Sequence, residues 1–86
     1  MNEFLHIGYD CYVNLSKVIL ITEMDSPKLR RELQRRELDK SSDKYWNAAG
    51  AKEVKSVIFC DDGLLISSTI SAVTLIKRIN EMKKGG

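Results

Sequence analysis

Metal ligands and disulfide partners are scarce in this sequence. It holds one histidine, His6, and two cysteines, Cys11 and Cys60, which lie far apart and form no Cys-x-x-Cys motif. Zinc sites and disulfide frameworks depend on such residues at close or repeated spacings. We therefore expect no metal site and no disulfide-stabilised fold. Both cysteines have apolar neighbours, so we interpret them as buried structural thiols.

Motifs typical of enzymes are also missing. The glycines at positions 8, 50 and 63 are isolated, so no glycine-rich loop is present to bind phosphate. The sequence contains no Ser-x-x-Lys or Gly-x-Ser-x-Gly element. His6 could pair with a cysteine as a nucleophile, but a structural histidine explains it better. Asp61 and Asp62 could be paired carboxylates, but turn chemistry explains them better. We predict a protein that is not an enzyme and uses no cofactor.

No apolar run approaches the roughly 20 residues that a membrane-spanning helix needs. The first seven residues include Glu3 and lack the basic start and cleavage site of a signal peptide. We therefore expect a cytoplasmic protein. The 86 residues, 43% hydrophobic and 30% charged, are typical of one folded domain, which we place at 1–83 with a frayed tail at 84–86. Because a domain this small has an unfolding free energy of only about 4–13 kcal/mol, we expect oligomerisation to stabilise the folded chain.

The hydrophobic pattern predicts an α+β fold with the order ββ(β)α-ββα. Ser26 or Asp25 can cap a helix whose first residue is Pro27, and Asp61–Gly63 is typical of a hairpin turn. The β-branched run after Lys17 indicates a buried strand. The predicted strands cover residues 3–7, 11–13, 17–22, 54–60 and 64–68; the helices cover residues 26–38 and 71–83; and 40–50 is a loop held by Tyr45 and Trp46.

Basic residues are concentrated in the middle of the chain, although the net charge is only +2. Seven of them fall within residues 26–44: Lys28, Arg30, Arg31, Arg35, Arg36, Lys40 and Lys44. On the predicted helix, Arg31 and Arg35 share a face with Lys28, and the forked guanidinium suits phosphate oxygens. The alternative is a solvated helix face balanced by acidic residues, which composition alone favours. Tyr45 and Trp46 could likewise stack on a base, but core or interface packing is the stronger interpretation.

Several segments, in order and at matching spacing over nearly the whole chain, resemble the extracellular-matrix regulatory protein family of bacteria, RemA and RemB. These segments are Phe4–Tyr9, Val13, Lys17–Ile19, Ile21, Asp25–Pro27, Arg31, Leu33–Gln34, Lys55–Ile58, Asp61, Gly63, Leu65–Ser67, Ile76 and Arg78. The resemblance implies a small β-rich LytTR-like domain with two helices. It also implies a ring-like homo-oligomer that binds promoter DNA and activates biofilm-matrix genes, without a cofactor or a reaction.

The resemblance also implies where DNA would be contacted. In the family, a basic residue just before the second strand segment contacts DNA, and Lys17 occupies that position here. The family also has an arginine-rich run after a glycine, which Lys52 and Lys55 replace in this chain. In this chain Glu53 lies between the two lysines. We predict Lys17, Lys52 and Lys55 as phosphate-contacting residues, with Arg31 and Arg35 second. The predicted partners are double-stranded DNA and further copies of the chain, with no membrane and no small-molecule substrate. The rival hypothesis is a self-assembling interaction or scaffold module of the same fold.

Overall fold

Two α-helices and six strands form the part of the chain that the computed structural model describes, residues 3–39 and 43–85. The elements are β1 (Phe4–Gly8), β2 (Cys11–Asn14), β3 (Val18–Glu23), α1 (Pro27–Leu38), β4 (Tyr45–Asn47), β5 (Ser56–Cys60), β6 (Leu65–Ser68) and α2 (Ala72–Gly85). A 3-10 turn, Leu15–Lys17, joins β2 to β3. The mixed α+β class predicted from the sequence is confirmed. The predicted order lacked one strand, because three strands, not two, lie between the helices.

The strands form two sheets. β1 and β2 make an antiparallel hairpin, and the other four strands make a sheet in the order β3-β5-β6-β4. β5 pairs antiparallel with both β3 and β6, whereas β4 runs parallel to β6. The predicted hairpin turn joins β5 to β6: Gly63 adopts a φ of +86°, and its amide donates to the Cys60 carbonyl at 3.1 Å. Positive φ is the reason that glycine suits this position.

Both faces of the larger sheet are covered. On one face, Ile58 and Ile66 pack with Leu5 and Ile7 of β1 and with Leu75 of α2. On the other face, the core is smaller and contains Leu33 of α1 with Val57 and Leu65. Because successive strand residues point to opposite faces, β5 and β6 supply both cores and have a buried residue at almost every position. The sheet therefore lies between α1 on one side and the β1–β2 hairpin with α2 on the other.

Helix α1 begins where the capping pattern predicts. The Ser26 hydroxyl oxygen accepts a hydrogen bond from the Leu29 amide at 3.3 Å, and Pro27 is the first helical residue. This capping satisfies one of the amides that have no partner in the first turn of a helix. Leu33 is its one buried residue, which agrees with the narrow apolar stripe expected for a peripheral helix.

The predicted loop at 40–50 contains a strand, so that prediction is wrong in part. β4 pairs with Leu65–Ser67 of β6, and the Tyr45 hydroxyl lies 2.7 Å from the Ser67 hydroxyl. A strand of three residues is too short to show a period-two pattern, which explains why it was missed. Lys40, Ser41 and Ser42 of that loop lie outside the described residues. α2 continues to Gly85 and so includes the first two residues of the predicted frayed tail.

β3 is an edge strand and not the buried strand that its apolar sequence predicted. Ile19 is 68% exposed and Leu20 is 52% exposed. The register of β3 against β5 shifts between Val18 and Leu20, as at a β-bulge, which adds a residue to one strand and redirects its side chains. The apolar run therefore leaves part of its surface uncovered within one copy of the chain.

Ser68 connects the two sheets through a buried polar contact. Its hydroxyl donates to the Ile7 carbonyl at 2.5 Å and accepts from the Ile70 amide at 3.0 Å, and the residue has no solvent exposure. We expect Ser68→Ala to lower the free energy of unfolding by about 1–3 kcal/mol, since the buried Ile7 carbonyl and the part-buried Ile70 amide lose their partner. Urea denaturation at a fixed protein concentration measures the change. Ser16→Ala, which removes an exposed hydroxyl, should change stability by less than about 0.5 kcal/mol. Equal stability of the two variants would show that the Ser68 contact contributes nothing.

Candidate nucleic-acid interface

Two of the predicted phosphate-contacting lysines meet in one place. Lys52 and Lys55, together with Glu53 and Thr69, line an open concavity of about 490 Å³ at the start of β5. Both lysine side chains are exposed. With two lysines and one glutamate, the lining carries a net charge of +1, so this open concavity can accept an anionic group on the surface of a larger partner, such as a backbone phosphate.

Backbone hydrogen bonds hold the loop that carries these lysines. The Lys55 amide donates to the Ser68 carbonyl at 2.8 Å, and its carbonyl accepts from the Met24 amide at 3.0 Å. The Lys52 amide donates to the Ala49 carbonyl at 3.1 Å. Gly50 allows the turn with a φ of +63°. The loop backbone is thus fixed before any partner binds, so binding orders only the lysine side chains, which lowers its entropic cost.

Tyr9, which was not predicted as a site residue, borders this loop. The Lys52 ammonium nitrogen lies 5.4 Å from the centroid of the Tyr9 ring, within the range of a cation–π contact. A Cβ atom at Gly50 would lie 3.7 Å from Cε2 of the same ring. Tyr9 lies in the turn between β1 and β2, between the strands predicted at 3–7 and 11–13. The sequence gives only a weak indication that Tyr9 belongs to the site. A tyrosine directly follows a glycine, at a turn position where small polar residues are usual.

Lys17 lies at the opposite end of the β3–β5 pair from this concavity. Its carbonyl accepts from the Asp61 amide beyond the end of β5, whereas Lys55 precedes the start of β5. At about 3.3 Å per residue, residues 55 and 61 are separated by about 20 Å. The three lysines therefore do not form one cluster within a single copy of the chain.

The two predicted arginines lie on α1, which covers the other face of the sheet from the β1–β2 hairpin. Arg31 is exposed. Arg35 is exposed too, but its guanidinium lies 2.6 Å from a carboxylate oxygen of Glu32. Hydrogen bonds from Arg36 and then Arg35 lower the pKa of Glu32. The charge of Arg35 is thus partly balanced by the Glu32 carboxylate on the same helix. This pairing supports the alternative that Arg35 belongs to a solvated helix face balanced by acidic residues.

Arg36, also in the basic segment, has an internal structural role. Its guanidinium donates to Glu32 at 2.8 Å, to the Lys44 carbonyl at 3.0 Å and to the Gly63 carbonyl at 3.1 Å. It therefore joins α1 to the approach to β4 and to the β5–β6 turn. Since Nε and Nη1 are engaged within the chain and the side chain is half-buried, Arg36 is poorly placed to contact a partner.

Of the groups that could have served an enzyme, His6 and Asp62 make structural hydrogen bonds and Cys60 is buried. Nε2 of His6 contacts the Tyr9 carbonyl. Nδ1 of His6 lies 3.3 Å from Nη1 of Arg78. Burial, and then the nearby Asp62 and Asp61 carboxylates, raise the pKa of the Cys60 thiol, which disfavours the reactive thiolate. Asp62 accepts from the Leu64 amide at 3.1 Å, and this contact lowers the pKa of Asp62. Cys11 is only half-buried, so the prediction of a buried thiol holds for Cys60 alone.

An apolar groove of about 420 Å³ lies between β3 and α2, away from the lysine concavity. Its lining is aliphatic except for one lysine and comprises Leu15, Val18, Ile19, Leu20, Ile21, Ile76, Ile79 and Lys83. Ile76 is 45% exposed although it shares the apolar face of α2. The groove adjoins the free edge of the sheet, since β3 has only β5 as a neighbour among the described strands. Exposed apolar area next to a sheet edge is typical of a protein–protein contact.

Comparison with known proteins identifies the family. Residues 4–79 match the RemA-like family, described as extracellular matrix regulatory protein A-like. The chain belongs to the RemA-like family. In the part of the chain that the structure describes, no group of three or more His, Cys, Asp or Glu side chains is placed to hold a metal ion. Over those same residues, no helix has the length and apolar character that crossing a bilayer requires.

Relatives of this RemA-like chain are named as candidate regulatory proteins. One from Coprothermobacter proteolyticus is 30% identical over 78 residues, which cover 91% of this chain and 71% of the relative. One from Bacillus cereus strain AH187 is 27% identical over 82 residues, covering 95% and 91% of the two chains. One from Bacillus mycoides is 29% identical over 78 residues, covering 91% and 86%. The family and these names support a regulatory role.

Proposed function

We propose that this RemA-like chain is a non-enzymatic transcriptional regulator that binds double-stranded DNA as a cytoplasmic homo-oligomer. The observation that carries the proposal is the concavity formed by Lys52 and Lys55 on a loop whose backbone is already fixed. On the resemblance to RemA and RemB, the proposal also includes a LytTR-like fold, a ring-like assembly and biofilm-matrix genes as targets.

The position of Lys17 is compatible with the same DNA surface. The separation of about 20 Å between residues 55 and 61 corresponds to about six base pairs of duplex, at about 3.4 Å per base pair. Because both faces of the sheet are covered and β5 lies between β3 and β6, a duplex that reaches both ends of the strand would lie over the covering elements and not on β5 itself. Arg31 and Arg35 remain secondary contacts in the proposal, because they lie on a different face and Arg35 is paired with Glu32.

Oligomerisation is central because one copy offers few phosphate contacts. Linking several weak sites raises the overall affinity through effective concentration, without any new contact. The apolar groove beside β3 supplies a surface for association with a second copy. Since the proposed lysine contacts are to phosphates and not to base edges, specificity would come mainly from the shape and bending of the DNA.

The rival function, a self-assembling scaffold module, is favoured by one observation. The groove and the exposed β3 edge form an association surface that requires no DNA. The two functions differ in one measurable property, which is salt-sensitive binding to a duplex.

Fluorescence anisotropy of a labelled promoter-length duplex, titrated at several salt concentrations, tests the proposal. We expect the logarithm of the binding constant to fall linearly with the logarithm of salt concentration, with a slope of about −0.9 for each phosphate contact. Lys52→Ala with Lys55→Ala should weaken binding at least about tenfold at 0.1 M salt and make the slope shallower.

The matched control is Lys77→Ala with Lys84→Ala, which removes the same charge from exposed positions of α2. If both double variants weaken binding equally, net charge and not the concavity is responsible. If the unaltered protein forms oligomers but binds no duplex even at low salt, the scaffold function replaces the proposal.

A further inference from the structure

Tyr9 has a backbone conformation that its residue type does not favour. Its φ is +47°, and within the described residues it is the only non-glycine with positive φ. Glycine adopts this region readily, whereas a side chain with a Cβ is strained there. Such strain persists only where the surrounding structure holds it, and it is concentrated at functional sites.

Several contacts hold the turn in this conformation. Nε2 of His6 contacts the Tyr9 carbonyl, and Nη1 of Arg78 donates to the His6 carbonyl at 3.2 Å. The preceding residue, Gly8, fits closely: a Cβ atom there would lie 3.2 Å from the Thr69 hydroxyl oxygen. The turn is therefore fixed from three elements, namely β1, α2 and the segment after β6.

Core packing does not explain why this strained position carries a tyrosine. The residue is 55% exposed, so most of the favourable burial that an aromatic ring can provide is not used. Its ring does contact Lys52, whose ammonium lies 5.4 Å from the ring centroid. A cation–π contact restricts the long lysine side chain, so less side-chain entropy is lost when Lys52 binds an anion.

We propose that Tyr9 and Lys52 together form a site for one phosphate of the DNA backbone. Lys52 supplies the charge, and the Tyr9 hydroxyl donates a hydrogen bond to a phosphate oxygen, a contact that tyrosine commonly makes with DNA. The Tyr9 ring positions Lys52, while His6 and Arg78 act as positioning residues for the turn. The inference rests on the proposed DNA binding and adds a contact that the lysines alone do not predict.

The two residues should differ in their effect on salt dependence. Tyr9→Phe removes only a neutral hydroxyl, so it should weaken duplex binding about tenfold without changing the salt slope. Lys52→Ala should make the slope shallower by about 0.9 for each engaged subunit, because a charged contact is lost. Tyr9→Gly should weaken binding more than Tyr9→Phe, since it removes both the hydroxyl and the support for Lys52.

Tyr12→Phe is the matched control, because Tyr12 is an exposed tyrosine on the same hairpin. It should bind DNA as the unaltered protein does. If Tyr9→Phe also binds normally while Lys52→Ala is weakened, the Tyr9 contact is overturned and DNA binding by the lysine concavity stands. If the unaltered protein binds no duplex at low salt, the DNA-binding function and this site both fail. Because Tyr9→Phe keeps the backbone and the ring, its result does not depend on whether Tyr9→Gly folds.

Discussion

Replacing Leu75 with alanine should lower the free energy of unfolding by about 2–5 kcal/mol. Leu75 has no solvent exposure and packs with Ile58 and Ile66 of the sheet and with β1 in the main core. Truncation removes buried methyl groups and leaves a cavity that a close-packed interior cannot fully close. For a chain whose total stability is about 4–13 kcal/mol, this one change removes a large fraction.

Urea denaturation and the midpoint of thermal unfolding measure the effect. Val73→Ala is the control on the same helix, because Val73 is 71% exposed, and it should change stability by less than about 0.5 kcal/mol. Since stability depends on protein concentration in an oligomer, both variants are compared with the unaltered protein at one concentration. A loss below about 1 kcal/mol for Leu75→Ala would show that α2 is not packed on the sheet as described.

The parts of the fold that local chemistry determines were predictable. Ser26 and Pro27 predicted the start of α1, and Asp61–Gly63 predicted the turn between β5 and β6, because each depends on a few neighbouring residues. β4 was missed because its three residues pair with a strand that lies distant in sequence. Whether an apolar strand is central or at an edge depends on sheet order, so the sequence of β3 could not reveal its exposure.

The candidate site was predictable to a similar extent. Lys52 and Lys55 precede β5 in sequence and share one loop, so their proximity follows from the local chain. The separation of Lys17 from them follows from the antiparallel pairing of β3 with β5, which no local pattern specifies. Tyr9 reaches Lys52 because the β1–β2 hairpin packs over the sheet, and that contact joins distant parts of the chain.

The free edge of the sheet leads to the prediction with the most direct bearing on function. Natural edge strands are usually protected by charged residues, proline or a β-bulge; β3 has the bulge-like shift and one charged residue, Glu23, at its end, yet Ile19 stays exposed. Ile19 projects from this edge, and Ile76 of α2 lines the same groove. We expect Ile19→Lys with Ile76→Lys to convert the proposed oligomer to a monomer, because two charges would have to be buried without partners.

The monomeric variant should bind duplex DNA about 10²- to 10⁴-fold more weakly, the range expected when linked sites become single ones. Lysine is the informative replacement: added positive charge alone would strengthen binding to DNA, so a loss must come from dissociation. Analytical ultracentrifugation and anisotropy measure the two properties on the same samples. Phe4→Lys with Leu38→Lys adds equal charge at exposed apolar positions outside the groove, and should keep both the oligomer and the affinity. A monomer that binds DNA as tightly as the unaltered protein would show that one copy is sufficient, and the argument from linked weak sites would then fail.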